Sequence, residues 1–208
     1  MAKAFTPNIK SDKGKGLTKY VAEFVYKNKF TSIPKKVVEL GKKHILDGFG
    51  LALAGSVART GVYLFKHINQ NSAKGRATVI GSKMKVTSRF AALANGVGIH
   101  SDDYDDTQLA VLKDRVYGLL THPTAPCLPS AFAEGELKKI NGKDFLNAYL
   151  IGVDVECKAS EAMSPRHYQH GFHSTATCGT LASAAAAAKI RGYKVPQIQR
   201  SLSIAASL

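Results

Sequence analysis

The spacing of apolar residues constrains the fold of this chain more than any other feature. Apolar residues recur every three or four positions in several stretches, which places them on one face of an α-helix. These stretches are 17–25, 38–53, 131–137 and 145–153. The alanine-rich run at 181–190 adds a further helix, because small side chains favour helix formation and let another helix approach closely. We therefore expect a mostly helical protein with the helix at 181–190 near its centre.

One segment alone shows a convincing strand pattern. Residues 77–80 form a short β-like run with turn-forming residues on both sides. A single strand cannot form a sheet, so the predicted fold class is all-α. Residues 1–16 contain four lysines and predict a flexible basic tail before a helical domain that spans 17–208. Because the sequence ends within an apolar pattern at 201–208, we expect this domain to be incomplete at its C-terminus.

Three glycines fall inside the predicted helix that contains 38–53. Gly41, Gly48 and Gly50 each cost about 1 kcal/mol relative to alanine in a helix interior. Close packing against a neighbouring helix would offset this cost, since a residue without a Cβ atom lets two backbones approach. We expect such packing along this helix.

The charge of the chain favours anionic partners. The net charge is +14, and eleven lysines lie in the first fifty residues. A positive field attracts carboxylate substrates, nucleic acids and anionic membranes alike, and it also occurs on basic surfaces without a specific partner. Aromatic residues are not interleaved with the lysines, and no nucleic-acid motif is recognisable, so nucleic acid is not an expected partner.

The lengths of the apolar stretches, the N-terminal residues and the spacing of the cysteines predict a soluble protein. No apolar stretch approaches the roughly 20 residues that span a bilayer, and no secretory signal opens the chain. Cys127, Cys157 and Cys178 are widely spaced and form no CxxC pair, so neither a disulfide framework nor a zinc site is indicated. We expect a cytoplasmic protein with no membrane contact.

The densest cluster of acidic residues follows His100. Four of the fifteen acidic residues occupy five consecutive positions there. If the segment is helical, His100, Asp103 and Thr107 share one face, and imidazole, carboxylate and hydroxyl could converge. The aspartates could instead stabilise a helix dipole. Asp102, Asp103 and Asp106 also fit a DDxxD magnesium pattern, but that pattern needs a second aspartate-rich segment, which the sequence lacks.

Two further segments carry histidines. His122 precedes Pro123, which fixes the backbone in a rigid turn before an apolar helix. The segment 164–175 places three histidines and Arg166 within eight residues, directly before the alanine-rich helix. Free N–H groups and the macrodipole at a helix N-terminus attract anions, so this segment suits a carboxylate.

The second histidine segment allows two more local predictions. Ser174 or Thr175 is the expected cap of the helix that follows. Three histidines at 167, 170 and 173 could bind a metal on one helical face, but Gly171 argues against a continuous helix there. We therefore predict no metal site.

Taken in order, these motifs resemble those of the MmgE/PrpD family. The matching segments are 37–55, 91–96, His100 with 103–107, 122–123, 141–149 and 171–175. The resemblance covers nearly the whole chain from Leu17, and the order of the motifs carries it more than any single one. One spacing differs, because residues 108–121 lie between the Asp-Asp-Thr and His-Pro motifs, which the family usually places closer together.

The resemblance implies an activity. The family includes 2-methylcitrate dehydratase, cis-aconitate decarboxylase and iminodisuccinate epimerase, which transfer a proton next to a carboxylate without a required metal or organic cofactor. We expect a lyase of the 2-methylcitrate dehydratase type acting on a small di- or tricarboxylate. The alternatives are a decarboxylase, an epimerase or a truncated non-catalytic helical module. The family also implies a homodimer, a length about twice that of this chain and an α+β lid domain that would begin beyond Leu208.

The resemblance and the local motifs together give six candidate site residues. Asp103, His122 and His173 are the candidate catalytic residues. The candidate substrate-binding residues are Thr107, His100 and Arg166. No cofactor and no metal are expected. Positioned acids, bases and hydrogen-bond donors of these kinds suit proton exchange and the binding of carboxylates.

Overall fold

The computed structural model describes residues 16–108, 120–163 and 166–207. Within these ranges the chain is helical apart from one two-stranded sheet, so the all-α class is confirmed. The longer helices are α1 (Leu17–Lys27), α2 (Lys35–Val57), α3 (Arg59–Asn71), α4 (Ser88–His100), α5 (Thr124–Lys138), α6 (Gly142–Met163), α8 (Ser174–Ile190) and α9 (Val195–Ala205). The short helices are a 3-10 turn at Phe30–Ser32 and α7 (Arg166–Gln169). Except for Gly16, the predicted basic tail lies outside the described residues.

The alanine-rich helix α8 is central, as the sequence predicts. It packs against α5, α6, α9 and α1. The alanines of α8 at positions 182, 185, 186 and 188 are buried, and small side chains bring the neighbouring helices close. At Gly152 of α6, an added Cβ atom would lie 3.0 Å from the backbone oxygen of Ala182. The core of the described fold is therefore built on close helix contacts.

The glycines of α2 follow the same principle, with one exception. An added Cβ atom at Gly41 would lie 2.7 Å from Leu150, and one at Gly48 would lie 2.6 Å from Leu128. At Gly55 it would lie 1.9 Å from the backbone oxygen of Gly98 on α4. Gly50 faces open space, so close packing is the wrong explanation for that residue.

The strand begins three residues and ends two residues earlier than the sequence predicts. Strand β1 covers Lys74–Thr78 and pairs antiparallel with β2 (Lys85–Val86), which the sequence analysis missed. Side chains from the helices engage the backbone around the end of β1. The Glu136 carboxylate accepts from the Thr78 N–H at 2.6 Å, and the Asn95 Oδ1 atom accepts from the Ile80 N–H at 2.9 Å. These donors are therefore satisfied without a continued ladder.

Two helices differ from expectation. Helix α3 was not predicted, although its residues continue the chain directly after α2. The apolar pattern at 201–208 belongs to α9, which begins earlier and ends at Ala205. No single helix in the described part of the chain is both long and apolar enough to cross a membrane, although α2 and α3, bent by 80° at their junction, together meet that length and composition.

Candidate active site

The acidic segment forms an irregular turn, and not the helix on which the predicted shared face of His100, Asp103 and Thr107 was conditional. Helix α4 ends at His100, and the residues up to Gln108 are not helical. Asp103 has a φ of 59°, in the left-handed region that aspartate adopts more readily than most residues. Its N–H donates to the His100 carbonyl over 3.4 Å. The chain therefore reverses beside the end of α4.

This reversal places a buried carboxylate against His100. The Nδ1 atom of His100 lies 2.9 Å from Asp105 Oδ1 and 3.1 Å from Asp105 Oδ2. The side chain of Asp105 is 0% exposed, whereas that of Asp103 is 75% exposed. The two aspartates therefore have different environments, one buried behind the imidazole and one open to solvent.

His122 lies between these two carboxylates. Its Nδ1 atom is 3.3 Å from Asp105 Oδ1, and its Nε2 atom is 3.6 Å from Asp103 Oδ1. The Thr107 hydroxyl is 3.4 Å from Nδ1 of the same ring. The ring centroids of His100 and His122 are 4.6 Å apart. Imidazole, carboxylate and hydroxyl thus converge, although they do so through a turn and not along a helical face.

The long spacing before His122 does not separate the two motifs. The Gln108 N–H donates to the Thr121 carbonyl over 2.9 Å, which joins the two ends of the intervening segment. Residues 109–119 of that segment lie outside the described residues. The His122 N–H donates to the Thr175 hydroxyl over 2.9 Å, which fixes this turn to the start of α8. The Asp-Asp-Thr and His-Pro motifs therefore lie side by side despite the longer spacing between them.

His173 completes the cluster from the other side. Its Nδ1 atom accepts a hydrogen bond from the Ala176 N–H over 3.3 Å, so His173 caps α8, and Ser174 and Thr175 are the wrong predictions for this role. Its ring centroid lies 5.8 Å from that of His100. Because Nδ1 is an acceptor, the proton of the neutral ring lies on Nε2.

Partial burial lowers the pKa of His173. Repulsion from His100 and His122 in their protonated forms lowers this pKa further, and Asp103 has a smaller opposing effect. A lowered pKa favours the neutral ring. His173 can then present a neutral N–H donor to a bound anion. This suits carboxylate binding beside the Asp103 and His122 pair.

The remaining residues of the second histidine segment do not join this cluster. Arg166 opens α7 and is exposed, and no contact within the described ranges joins its side chain to the imidazoles. The ring of His167 stacks on Phe172 with centroids 4.8 Å apart. Gly171 has a φ of 90° and interrupts the helix, so the three histidines do not share one helical face. The role of Arg166 in substrate binding stays a prediction.

Supporting residues missed by the sequence analysis lie on distant helices. His44 on α2 contacts Asp106, with Nδ1 and Oδ2 3.1 Å apart. The other carboxylate oxygen of Asp106 accepts from the Thr124 N–H at the start of α5 over 3.1 Å. This aspartate therefore ties the acidic turn to two helices. His44 is 62 residues from Asp106, and no local signal connects the two.

Glu156 on α6 is a second missed support. It is fully buried, and its Oε1 atom accepts from the Thr121 hydroxyl over 2.6 Å, directly before His122. Burial raises the pKa of Glu156 to about 8, and the nearby Asp106 and Asp105 charges also raise it. The Oε2 atom has no hydrogen-bond partner among the described residues, which fits a neutral carboxyl better than a buried charge. In the sequence, Glu156 lies seven positions after Tyr149, which places both on the same face of a helix. Because Tyr149 is buried, this spacing was the available signal that Glu156 is buried as well.

Four groups lie close enough to consider a metal ion. Candidate ligand atoms of His100, Asp103, Asp105 and His122 lie within 4.8 Å of one another. One imidazole offers one nitrogen to an ion, whereas the two nitrogens of His122 face two different carboxylates. These contacts therefore describe a hydrogen-bonded and charged network better than a coordination shell. The DDxxD set is not assembled, because Asp106 is engaged with His44.

An open groove on the described surface lies away from this cluster. It has a volume of about 1000 Å³. Its lining residues are Phe30, Val38, Lys42, Ile45, Asn141, Gly142, Lys143, Phe145 and Leu146. None of the six candidate site residues lines it. Cavity volume therefore does not identify this site, and the convergence of titratable groups does.

Comparison with known proteins identifies relatives of this chain. The chain resembles cis-aconitate decarboxylases of Mus musculus (29% identity over 203 residues), Homo sapiens (30% over 199) and Aspergillus terreus (25% over 196). These alignments cover 91–93% of this chain but only 38–40% of those proteins, so the chain spans about two fifths of their length. The family model of the MmgE/PrpD N-terminal domain matches residues 19–208. This protein belongs to the MmgE/PrpD family, as the order of its sequence motifs predicts.

Proposed function

We propose that this chain supplies part of the active site of a lyase that decarboxylates a small polycarboxylate of the cis-aconitate type. The observation that carries the proposal is the convergence of Asp103, His100, His122 and His173 in one cluster. The relatives named above are cis-aconitate decarboxylases, and they favour this alternative over the 2-methylcitrate dehydratase expected first. The net charge of +14 would also attract such a substrate.

Decarboxylation makes two demands on the site. When the carbon–carbon bond to the departing carboxylate breaks, CO2 leaves and the electron pair remains on the substrate carbon skeleton. A proton must then reach a carbon atom, and the remaining carboxylates must be held during this step. A proton donor beside neutral hydrogen-bond donors meets both demands.

The geometry suggests how the roles are divided. His122 Nε2 and Asp103 Oδ1 lie 3.6 Å apart on the exposed side of the cluster, so this pair is the proposed proton donor. The His173 Nε2–H group and the Thr107 hydroxyl would bind substrate carboxylates, since both can donate hydrogen bonds. His100 lies between His122 and His173 and would extend the same anion site.

The test uses the complete protein that contains this chain. It is incubated separately with cis-aconitate, 2-methylcitrate, citrate and iminodisuccinate, and CO2 release and product formation are measured. We expect CO2 release from cis-aconitate. Dehydration of 2-methylcitrate without CO2 release would replace the proposal by the dehydratase, and no turnover of any of the four acids by folded protein would refute both.

Two substitutions test the proposed proton donor. Asp103→Asn and His122→Asn should lower kcat/KM by about 10²–10⁴-fold, the usual contribution of general acid–base catalysis. The matched control is Asp102→Asn, an exposed carboxylate one position away that lies outside the contacts described above. Equal activity in Asp103→Asn and Asp102→Asn would remove Asp103 from the mechanism.

The homodimer implied by the family resemblance also becomes a proposal. Helix α2 exposes large apolar side chains, of which Leu46, Leu53 and Val57 form a row on one helical face. Such a row favours association, because exposed apolar surface of this kind commonly marks an interface. We expect light scattering to give twice the protomer mass, and Leu46→Glu with Leu53→Glu to reduce it to one. A monomeric wild-type protein would exclude this surface as a self-interface.

A further inference from the structure

We propose that Asp105 is a positioning residue that fixes the orientation and tautomer of His100 and, with the same carboxylate, of His122. Both rings direct Nδ1 towards Asp105 Oδ1, at 2.9 Å for His100 and 3.3 Å for His122. The side chain of Asp105 is 0% exposed, so a substrate cannot reach it from solvent. Asp105 therefore acts on the reaction through the two imidazoles.

The carboxylate selects one tautomer of each neutral ring. An ionised carboxylate only accepts hydrogen bonds, so the ring nitrogen that faces it must carry the proton. His100 donates to Asp105 through Nδ1, and its Nε2 atom is left as the acceptor. Nδ1 of His122 lies 3.3 Å from the same carboxylate oxygen and 3.4 Å from the Thr107 hydroxyl. The proposal places a proton on this Nδ1 atom, which leaves Nε2 of the ring towards Asp103.

This selection has a consequence for the exposed pair. With Nδ1 of His122 facing Asp105, the lone pair of Nε2 would face the Asp103 carboxylate, and the two acceptors would repel each other. A proton on either of these atoms, which lie 3.6 Å apart, replaces the repulsion by an attraction. Asp105 thus prepares the His122 and Asp103 pair to hold a transferable proton, a step that rests on the proposed function.

The inference is tested by nitrogen NMR on the complete protein, labelled with ¹⁵N-histidine at one fixed pH. Long-range proton–nitrogen spectra report which ring nitrogen carries the proton, and His100→Gln and His122→Gln assign the signals. Asp105→Asn keeps the shape of the side chain but removes its charge, whereas Asp105→Ala removes the acceptor. Asp102→Asn, at an exposed position in the same turn, is the matched control.

We expect the wild-type spectra to show protonated Nδ1 in both rings. Asp105→Ala should move His100 towards the Nε2–H tautomer, Asp105→Asn should shift the Nδ1 signals of both rings, and Asp102→Asn should leave them unchanged. Imidazole signals in Asp105→Asn that match the wild type would overturn the proposal, and this variant decides the question if Asp105→Ala does not fold.

A kinetic measurement separates this inference from the proposed function. In the complete enzyme, Asp105→Asn should lower kcat by about tenfold or more, with KM within about threefold, because substrate contacts are retained while the proton donor is misoriented. A rise in KM at constant kcat would contradict a positioning role. Altered imidazole spectra in a protein that turns over none of the acids would refute the proposed function and leave the positioning role standing.

Discussion

Replacing Glu156 with glutamine should change how the stability of this protein depends on pH. Burial raises the pKa of this carboxyl from 4.5 to about 8 in the folded protein. The folded state therefore holds the proton up to a higher pH than the unfolded chain does. The resulting stabilisation is complete below pH 4.5 and is lost as the pH rises through about 8.

The size of the effect follows from that shift. Each pKa unit corresponds to about 1.4 kcal/mol, so the whole contribution is roughly 5 kcal/mol. Between pH 6 and about pH 8 the unfolded chain has lost this proton while the folded carboxyl keeps it, and this difference lowers the free energy of unfolding by about 3 kcal/mol. Glutamine has a similar shape but no titrating proton. The stability of Glu156→Gln relative to the wild type should therefore rise by about 3 kcal/mol between pH 6 and pH 9.

Urea unfolding followed by circular dichroism at both pH values measures this difference, since other titrating groups are common to the two proteins. The control is Glu39→Gln. Glu39 is exposed, and its contact with Lys42 lowers the pKa of its carboxyl, so it stays ionised from pH 6 to pH 9. Stability curves for Glu156→Gln and wild type that run parallel between these pH values would refute the assignment of a buried neutral carboxyl.

Two further predictions concern packing and capping. Gly55→Ala should lower the free energy of unfolding by about 1–3 kcal/mol, because the new methyl group meets the Gly98 oxygen. Gly50→Ala, in open space on the same helix, should raise the free energy of unfolding by up to about 1 kcal/mol. Chemical unfolding measures both, and equal effects would contradict the close contact. His173→Asn should keep the cap of α8 and the stability of the protein but lose turnover. His173→Ala should lose turnover and also about 1 kcal/mol of the free energy of unfolding. Full activity of the asparagine variant would exclude a chemical role for His173.

The sequence predicts the helices better than the contacts that assemble the site. Helical periodicity identifies most of the long helices, and the burial of α8 follows from its small side chains. The order of motifs also predicts Asp103, His122 and His173 as the candidate catalytic residues. These features depend on short stretches of chain or on the succession of motifs, both of which are visible in the sequence.

Long-range contacts explain what the sequence could not predict. The end of β1 depends on Asn95 and Glu136 from two helices, and the acidic turn depends on His44, 62 residues away from its partner. The tautomer of His173 depends on its position as a helix cap, where serine or threonine is the usual expectation. Each of these results needs a distant or unusual partner, for which local spacing carries no signal.

Because the backbone at Asp103 is left-handed, the role of this residue in the fold can be tested separately from its role in the chemistry. Its φ of 59° costs a β-branched residue more than aspartate, and it costs glycine nothing. Asp103→Gly should therefore stay within about 1 kcal/mol of the wild type, because relief of strain is offset by the greater entropy of glycine in the unfolded chain. Asp103→Val should be about 1–2 kcal/mol less stable than the glycine variant. Both remove the carboxylate 3.6 Å from His122 and should lose turnover equally. Urea unfolding and CO2 release measure the two properties independently, and equal stability of the two variants would show that the turn does not constrain this position.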